Sequence, residues 1–590
     1  MRATSLLATA AYTSAWMIFA TAAGLTFGPG TAYAQSAPRP PGGHLPTREE
    51  INRPSPSAHP RGRARIDSSQ ALDAVVCAQP PNVHATINTV AFSTPGGTAL
   101  PAPIQALLAG FKPDVVGDQP VNNACTLRDK ASAILRRAGY IAGVQIVPAG
   151  DDGILKLQVI TARIVDVEIH GDPGPYQKVI KARIAQLQAL DPLNEFEAEK
   201  ILLLADDIPG LDVKLTLRSA GRQPGDVIGD LSVTTRRYNV LANVENYGSR
   251  QTGPETAYVR GEIYGLTQNA DVTYIGASST FDGREQRIGQ IGHSEALGDR
   301  GGRLGVNYVY ALSDADFGDF DLRTVSSVGN IEYDRPLARS LSRQVNLQAG
   351  LDIIEQKTQI YTAGIWPYNW DKIRVGYARL FAATQKPSDV AGDDGRAFSG
   401  GLEIRQGLDI LGATKPGYVS ASGYSPSRID GDGRATVVRG QADALVGLGP
   451  TFSLAGSFRG QWANKALLSY EEFAVGNLNI GRGYDPGIVS ADRAAGLRGE
   501  VRAHIPSKSN LKGELFGFYD NVRVWNLYAG ATDTDRSLAS WGVGSRVYLP
   551  GRLVADIMYA KPLNRAYSTD RAPPPGRLLV SLTMQFQPNH

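Results

Sequence analysis

The segment at residues 578–586 reads Leu-Leu-Val-Ser-Leu-Thr-Met-Gln-Phe and decides the fold class of this chain. Apolar side chains occupy every second position, at Leu578, Val580, Leu582, Met584 and Phe586. Because successive side chains of a β-strand point to opposite faces, this period of two predicts a strand with one apolar face. Such a strand packs that face into a core or places it against lipid.

The same alternation recurs throughout residues 236–590, where strand-like runs are separated by turns rich in Gly, Asp and Asn. Two further runs have apolar residues of one parity, at Leu304, Val306, Tyr308 and Tyr310 and at Leu553, Ala555, Ile557 and Tyr559. Strands of this kind, without helical insertions, predict a closed β-barrel in a bacterial outer membrane. A soluble β-sandwich or propeller is the alternative. Phe586 favours the barrel, since a final strand that ends in an aromatic residue is typical of outer-membrane barrels.

The composition agrees with a barrel. The chain has 590 residues, 42% of them hydrophobic, and a mean hydropathy of −0.19. Beyond the N-terminus it lacks any run of about 20 apolar residues, which excludes a multi-helix membrane protein but not a β-barrel. The 65 glycines and 24 tyrosines favour barrel strands with aromatic girdles, and the net charge of +3 gives no reason to expect nucleic acid as a partner.

The N-terminus predicts a secretory signal peptide at residues 1–34. Arg2 supplies the positive start, residues 6–27 are largely apolar, and Ala32-Tyr33-Ala34 has the small-x-small pattern of a cleavage site. A membrane anchor is the alternative. Export favours a disulfide, rather than a metal or catalytic pair, for the two cysteines, Cys77 and Cys125.

Residues 35–76 are rich in proline and predict a linker. One short helix is possible at residues 47–53, because Thr47 and Glu50 have the spacing of a capping box. Pro54 would end that helix after about two turns.

Residues 77–162 and 163–235 form an internal repeat of small α+β modules. Repeated modules of this size in an exported protein are usually docking units. The first module has predicted strands at 85–92, 144–147 and 154–160 and helices at 103–111 and 126–137, the latter capped by Thr126. The second has predicted strands at 163–170, 213–217 and 230–236 and helices at 176–190 and 195–206, the latter capped by Asn194.

The sequence carries no convincing catalytic or metal-binding motif. Residues 292–296, Gly-His-Ser-Glu-Ala, lack the closing glycine of a nucleophile elbow, and there is no phosphate-binding loop. The seven histidines show no zinc spacing, so His170 and His293 are interpreted as strand or turn residues. We therefore predict no enzyme activity, no cofactor and no metal, and any transport would run without nucleotide hydrolysis.

One charged pair stands out from the barrel pattern. Arg482 lies between Gly481 and Gly483, where glycines allow a loop to fold back on itself. Asp520 shares its strand parity with Phe516 and Phe518, and we place that face inward because a carboxylate facing lipid is costly. A loop dipping into the lumen could bring Arg482 to Asp520. The alternative is that both side chains are separately solvated.

These residues also resemble a known family. Phe473-x-x-Gly476, Arg482-Gly483-Tyr484, and then Gly496 and Glu500, resemble the lid-loop signature of two-partner secretion outer-membrane transporters of the TpsB type. This is the haemolysin and filamentous haemagglutinin secretion-activation family, which is related to the barrel-assembly protein BamA. The resemblance implies a lid loop at about residues 472–495. Phe518-Tyr519-Asp520 looks like the family's strand motif, whose aspartate pairs with the lid-loop arginine.

The resemblance extends along most of the chain. Residues 202–210 and Pro224-Gly225 are similar to the second polypeptide-transport-associated (POTRA) domain, and residues 243–248 are similar to the first barrel strand. Residues 77–162 would then be POTRA 1 and residues 163–235 POTRA 2. Cys77 and Cys125 lie where many members carry a disulfide in POTRA 1.

Two features depart from the family. Members usually have a bulky apolar residue just before Arg-Gly-Tyr, where this chain has Gly481. They also often have a long N-terminal helix that plugs the pore, whereas the Pro-rich segment here offers only residues 47–53 as a helix, which argues against a helical plug.

The resemblance implies a sixteen-stranded transmembrane antiparallel β-barrel in the outer membrane, preceded by two periplasmic POTRA domains. The barrel would export one large exoprotein, an adhesin or cytolysin with an N-terminal secretion domain. Other implied partners are outer-membrane lipids and the barrel-assembly machinery that inserts the barrel. A barrel- or surface-assembly factor related to BamA is the alternative, as is a passive porin. Two POTRA modules favour export, because assembly factors generally carry more.

Overall fold

The computed structural model describes residues 46–51, 65–72, 84–114, 116–147, 153–388, 390, 393–505, 512–527 and 533–587, all within one compact unit of residues 42–590. The predicted signal peptide at 1–34 lies outside these residues, and so does Cys77. The disulfide between Cys77 and Cys125 therefore stays a prediction. Within the described part of the chain, every helix is too short or too polar to cross a bilayer.

The first module combines two helices with two small sheets. A three-stranded sheet has the order Thr89–Ser93, Ile154–Thr161, Ala142–Ile146, and a separate pair joins His84–Ile87 to Gly117–Pro120. The helices are Ala102–Leu108 and Val121–Arg137.

Two predictions in the first module are wrong. The single strand predicted at 85–92 is two strands in different sheets. The second helix begins at Val121 rather than after Thr126, because Pro120 starts it with φ −56° and no side-chain cap. The Thr126 hydroxyl instead donates to Asn122 O (3.2 Å), one turn back inside the helix.

The second module is a four-stranded sheet covered by two helices. The strands lie in the order Arg65–Gln70, Leu211–Ser219, Asp226–Thr235, Arg163–His170. The helices are Gln177–Gln188, preceded by a 3-10 turn at Gly174–Tyr176, and Glu195–Asp206. The predicted cap at Asn194 is confirmed, because its side chain accepts from Phe196 N at 3.0 Å and Glu197 N at 3.4 Å.

Strand Arg65–Gln70 corrects the prediction that all of residues 35–76 are linker. It pairs in parallel with Leu211–Ser219, with Ile66 opposite Leu215. Its sequence, Arg-Ile-Asp-Ser-Ser-Gln, has no apolar alternation, so the pattern offers no strand signal. The backbone of an exposed sheet edge supplies the pairing instead.

Sixteen strands of the described residues close into an antiparallel barrel, which confirms the predicted fold class. The barrel closes where the first strand pairs with the last, with Val240 opposite Phe586. In chain order the strands are Tyr238–Glu245, Thr256–Tyr264, Val272–Thr280, Gln286–Leu297, Gly302–Asp316, Asp321–Arg339, Arg343–Tyr361, Ile365–Lys386, Arg396–Gly407, Thr436–Gly447, Phe452–Ala463, Arg493–Ile505, Lys512–Trp525, Asp535–Leu549, Leu553–Pro562 and Arg577–Phe586.

The alternation in the last strand separates an outer from an inner face. Leu578 and Phe586 are 60% and 51% exposed on the outer face. Gln585, of the opposite parity, is buried inside, where its Nε2 donates to Asn239 Oδ1 (3.1 Å). The alternation therefore predicts the sidedness of the strand correctly.

A short helix, Arg48–Ile51, lies inside the barrel. The predicted capping box forms, with Thr47 N donating to Glu50 Oε2 (2.8 Å) and Glu50 N donating to Thr47 Oγ1 (3.2 Å). Ile51 packs in a buried cluster with inward residues of the wall such as Val328 and Ile354. The helix is short, as the prolines predict, and it lies in the lumen although the sequence argues against a long helical plug.

Candidate functional site: the lid loop and its anchor

The loop at residues 464–492, between strands Phe452–Ala463 and Arg493–Ile505, folds back into the barrel and is called the lid loop below. It contains a 3-10 turn, Ser469–Glu471, and a two-stranded stem in which Phe473–Val475 pairs with Val489–Ala491. Its apolar side chains are buried against the barrel wall in one cluster, which includes Phe473, Val475, Ile480, Tyr484, Val489, Val522 and Leu538. The sequence-based bounds, 472–495, start too late and end inside the next strand.

At the tip of the lid loop, Arg482 contacts Asp520 of the barrel wall. Arg482 Nη2 lies 3.1 Å from Asp520 Oδ1, and Arg482 Nε lies 3.3 Å from Oδ2. The backbone contributes as well, since the amides of Arg482 and Gly481 donate to Asp520 Oδ2 at 2.9 and 3.3 Å. Asp520 is completely buried. The loop thus meets this carboxylate with both its backbone and its side chain, and the two charges are not separately solvated.

Asp520 sits on the inward face that its parity predicts. Phe516 and Phe518 are 4% and 6% exposed, whereas Leu515 and Tyr519 on the other face are 53% and 51% exposed. The Arg482 guanidinium carbon lies 3.5 Å from the centroid of the Phe518 ring, which is a cation–π contact. The strand therefore presents an acid and an aromatic face to the same arginine.

Two more charged residues of the wall complete the anchor. Arg482 Nη1 donates to Glu500 Oε2 (2.7 Å), and Arg498 Nε donates to Asp520 Oδ1 (3.3 Å). Sequence reasoning named Glu500 only as part of a motif and missed Arg498. The signal was present, because Arg498, Glu500 and Arg502 alternate along one strand, which places three charges on one face.

Gly483 and Tyr484 fit the lid tip against the two wall strands that follow the strand of Asp520. A Cβ at Gly483 would lie 2.8 Å from Pro562 N and 2.9 Å from Ser540 Cβ, so the backbone approaches the wall too closely for any side chain. The Tyr484 hydroxyl is fully enclosed and lies 3.0 Å from both Ala539 O and Asn564 O. These contacts fix the depth to which the tip inserts.

Gly476 and Gly481 shape the turn that carries Arg482. Gly476 N donates to Ile480 O (2.9 Å), which closes the turn. Gly481 has φ +101°, a conformation that suits glycine and strains residues with a side chain. The departure from the family at this position therefore places a glycine where the backbone of this loop requires one.

The base of the lid loop is held by charges that the sequence did not single out. Glu471 accepts from Arg405 and Arg439, each at 2.8 Å, and Arg405 also donates to Asp352 (2.8 Å). A cavity of about 610 Å³ lies beside this cluster, lined by the lumen helix at Arg48, the lid loop at Asn479 and the wall at Arg379 and Arg498. The interior beside the lid is thus polar and charged.

The two histidines that the sequence singled out both lie on strands. His293 Nδ1 lies 2.8 Å from Thr273 Oγ1 on a barrel strand. His170 lies on the exposed sheet of the second module near Glu168 and Asp230, but both carboxylates are already within 3.0 Å of Arg218. Arg218 donates hydrogen bonds to Glu168 and Asp230, which raises the pKa of Arg218 above its usual range.

Comparison with known proteins identifies the family. The model of the haemolysin secretion/activation protein family, ShlB/FhaC/HecB, matches residues 231–547, more than half of the chain. The chain belongs to this family. It is an outer-membrane transporter of the two-partner secretion type, a family that transports large exoprotein partners.

Individual relatives agree with this assignment. The heme/hemopexin transporter protein HuxB of Haemophilus influenzae is 21% identical over 492 residues, covering 78% of this chain and 80% of HuxB. CdiB from Escherichia coli superposes with a TM-score of 0.65 at 15% identity, covering 87% of this chain and 93% of CdiB. CdiB from Acinetobacter baumannii gives a TM-score of 0.60 at 15% identity, covering 89% and 94%. At these identities the two CdiB structures support the fold alone.

Proposed function

We propose that this transporter exports a large unfolded exoprotein through its barrel, and that the lid loop closes the barrel until the cargo arrives. The observation that carries the proposal is the buried contact of Arg482 with Asp520 and Glu500 inside the lumen. A loop that inserts this deeply occupies space through which a chain would pass. Export therefore requires the tip to leave its pocket.

Ion pairs as well as packing hold the lid tip in its pocket. Such contacts suit a loop that must stay closed at rest and open during export. Breaking a buried ion pair while one partner stays buried costs about 3–5 kcal/mol. When the tip withdraws into the water of an opening lumen, Arg482 regains hydration while Arg498 and Arg502 remain beside Asp520 and Glu500. The open state thus leaves no isolated charge, so the lid can return.

The helix Arg48–Ile51 is the second obstacle in the lumen. It contacts the wall through the packing of Ile51 and a hydrogen bond from Gln356 Nε2 to Pro46 O (3.2 Å). A helix of four residues has little stability of its own. We propose that the arriving exoprotein displaces this helix before it displaces the lid tip.

The second module offers a place where cargo can first bind. Its sheet ends on one side with Arg65–Gln70, which covers the edge of Leu211–Ser219, and on the other side with Arg163–His170. In the described residues, Arg163–His170 pairs on one side only, with Asp226–Thr235. We propose that the secretion domain of the exoprotein adds a strand to this free edge, since edge strands bind extended peptides through their backbone.

Energy for export would come from the cargo itself. The sequence lacks a phosphate-binding loop, and the lid is held by reversible ion pairs. Folding of the exoprotein outside the cell would give the direction, without nucleotide hydrolysis and without any catalytic step in the transporter.

The variant Arg482→Ala tests the lid. We expect normal amounts of heat-modifiable, folded barrel in the membrane, together with sharply reduced export of the exoprotein partner, because a tip without its anchor no longer returns to the closed position from which the arriving cargo displaces it. The matched control is Arg523→Ala, on the same wall strand as Asp520, where an exposed arginine pairs with Asp535. Export by Arg482→Ala at the level of Arg523→Ala would refute the proposed role of the lid.

The variant Val167→Pro tests cargo recognition separately. The Val167 amide donates to the Asp166 side chain at 2.8 Å, and proline would remove this donor from the free edge. We expect the full-length variant to assemble but to lose co-purification with the secretion domain. Undiminished co-purification would argue against strand addition at this edge, while leaving the lid proposal untouched.

A further inference from the structure

The base of the lid loop is gripped by an arginine from a different loop. Glu472 and Asp492 flank the stem of the lid, one on each strand, because Phe473 pairs with Ala491. The Arg428 guanidinium lies between them, with Nη1 2.8 Å from Glu472 Oε1 and 2.5 Å from Asp492 Oδ1, and Nη2 3.0 Å from Asp492 Oδ2. One side chain therefore ties together the two strands through which the lid enters and leaves the lumen.

The ion pairs of Arg428 with Glu472 and Asp492 are buried, and their geometry is fixed by further hydrogen bonds. The side chains of Glu472 and Asp492 are fully enclosed, and that of Arg428 is 3% exposed. Arg428 Nη1 also donates to Leu467 O (3.0 Å), at the start of the lid loop, while Asp492 Oδ1 accepts from Leu467 N (2.7 Å). A planar guanidinium can hold two carboxylates and a carbonyl at fixed angles, which a lysine ammonium on its flexible stem cannot do equally well.

Arg428 belongs to the connection at residues 408–435, between strands Arg396–Gly407 and Thr436–Gly447, which is called the clasp loop below. The modules contact the barrel at its other end, where Arg183 donates to Asp299 O and Arg339 pairs with Asp207. The connection therefore lies at the end away from the periplasmic modules, which faces the outside of the cell. Its far part is open to solvent, with Tyr418 61% and Val419 53% exposed. The residue that grips the buried base of the lid is thus part of a surface element.

Other contacts join the clasp loop to the base of the lid at the same place. Lys465 Nζ lies 2.7 Å from Asp432 Oδ2, and Ser469 N donates to Ser427 Oγ (3.0 Å). Ser427 N is itself held by Asp371 Oδ1 (2.9 Å) of the barrel wall. The clasp loop is therefore fixed to the wall on one side and to the lid on the other.

The base and the tip of the lid use separate anchors. Arg482 at the tip binds Asp520 and Glu500, whereas Arg428 at the base binds Glu472 and Asp492. The two sets share no residue, and they attach the lid to different parts of the barrel. Loss of one set therefore leaves the contacts of the other in place.

We propose that Arg428 is a positioning residue that forms a second lock on the lid, and that the clasp loop controls the lid from the outer surface. This inference rests on the proposed function of the lid as a gate. With both locks closed, the lid stays in the lumen even when the tip detaches briefly, because the base returns it to Asp520. Full opening also requires Arg428 of the clasp loop to release Glu472 and Asp492.

The test uses the full-length protein in planar lipid bilayers, with the frequency of large conductance steps as the measure of lid opening. The variants are Arg428→Gln, Arg428→Lys and Arg482→Ala. The control Lys415→Gln removes an exposed cation from the same clasp loop without touching the lid. Heat-modifiable migration on gels shows that each variant is a folded barrel, so that opening and folding are scored separately.

We expect Arg428→Gln to raise the opening frequency by at least about tenfold, which corresponds to about 1.4 kcal/mol. Arg428→Lys should give a smaller increase, because it keeps the charge but loses the fork geometry, and Lys415→Gln should match wild type. The double variant Arg428→Gln/Arg482→Ala should multiply the two single effects, since separate anchors contribute additively to the free energy.

The outcomes distinguish the two proposals. If Arg482→Ala opens more often while Arg428→Gln behaves like Lys415→Gln, the second lock is refuted and the gate stands. If Arg482→Ala also behaves like wild type, the gate itself is refuted. Should Arg428→Gln fail to fold, Arg428→Lys decides alone, and an opening frequency equal to wild type would overturn the second lock.

Discussion

Replacing Asp520 by asparagine isolates the charge of the lid anchor. The change preserves the size of the side chain and removes its negative charge from the middle of the cluster. In the structure this carboxylate accepts from Arg482 N at 2.9 Å, from Arg482 Nη2 at 3.1 Å and from Arg498 Nε at 3.3 Å. Asparagine offers one oxygen in place of two, so part of these contacts is lost and the rest become weaker.

The expected destabilisation of the closed lid follows from the contacts of Arg482 that remain. A hydrogen bond to a charged group contributes roughly 1.5–3 kcal/mol. Glu500 still holds Arg482 Nη1 at 2.7 Å, so the closed lid keeps one of its two ion pairs. We therefore expect Asp520→Asn to destabilise the closed lid by about 1.5–3 kcal/mol, which lowers the closed-to-open ratio roughly ten- to a hundredfold.

The assay is the opening frequency of the reconstituted full-length protein in planar bilayers. The matched control is Asp443→Asn, in which a lumen carboxylate that pairs with Arg459 (3.0 Å) on the wall loses its charge away from the lid. The contradicting result is an equal opening frequency for Asp520→Asn and Asp443→Asn under conditions in which Arg482→Ala opens often. It would show that Asp520 is not the anchor of the tip.

Three further predictions each concern one residue. Gly483→Ala should raise the opening frequency, because its Cβ would lie 2.8 Å from a backbone nitrogen of the wall, whereas Gly499→Ala, with open space around its Cβ, should not. Asn194→Ala should destabilise the start of helix Glu195–Asp206 by about 1 kcal/mol, so that hydrogen exchange there becomes roughly fivefold faster. Asn194→Ser should retain the cap and exchange like wild type. Burial, with the nearby charge of Asp212, raises the pKa of Asp206 to about 6 from 3.8, so this group stabilises the module most at low pH and loses that contribution as the pH rises through about 6. Exchange protection of this helix, corrected for intrinsic rates, should accordingly fall less between pH 4 and pH 7 in Asp206→Asn than in wild type.

Features that depend on local pattern were predictable from the sequence. The inward face of Phe516, Phe518 and Asp520 follows from the period of two, because each side chain of a strand points opposite to the next. The capping box of Thr47 and Glu50 and the cap at Asn194 are equally local, since every participating group lies within three residues. Patterns of this range need no knowledge of the remaining chain.

Features that depend on distant pairing were not predictable in the same way. Strand Arg65–Gln70 is polar and pairs with Leu211–Ser219, far along the chain, so only the completed sheet edge shows why it forms. The sequence predicts a short helix at residues 47–53, but the place of helix Arg48–Ile51 in the lumen is decided by the barrel that closes around it. Arg428 gave no signal either, because its carboxylate partners come together only when the lid folds inward.

A disulfide across the tip of the lid tests the central claim most directly. A Cβ at Gly496 on the wall would lie 2.8 Å from Ile480 Cδ1 on the lid, so Ile480→Cys/Gly496→Cys places two thiols at the contact while removing the side chain that crowds it. The single variant Ile480→Cys, oxidised in the same way, is the control. The measurement is export of the exoprotein before and after addition of a reductant to cells in which the cross-link is complete. We predict that export stops when the disulfide forms and resumes on its reduction. Continued export with the lid fully cross-linked to the wall would contradict the account.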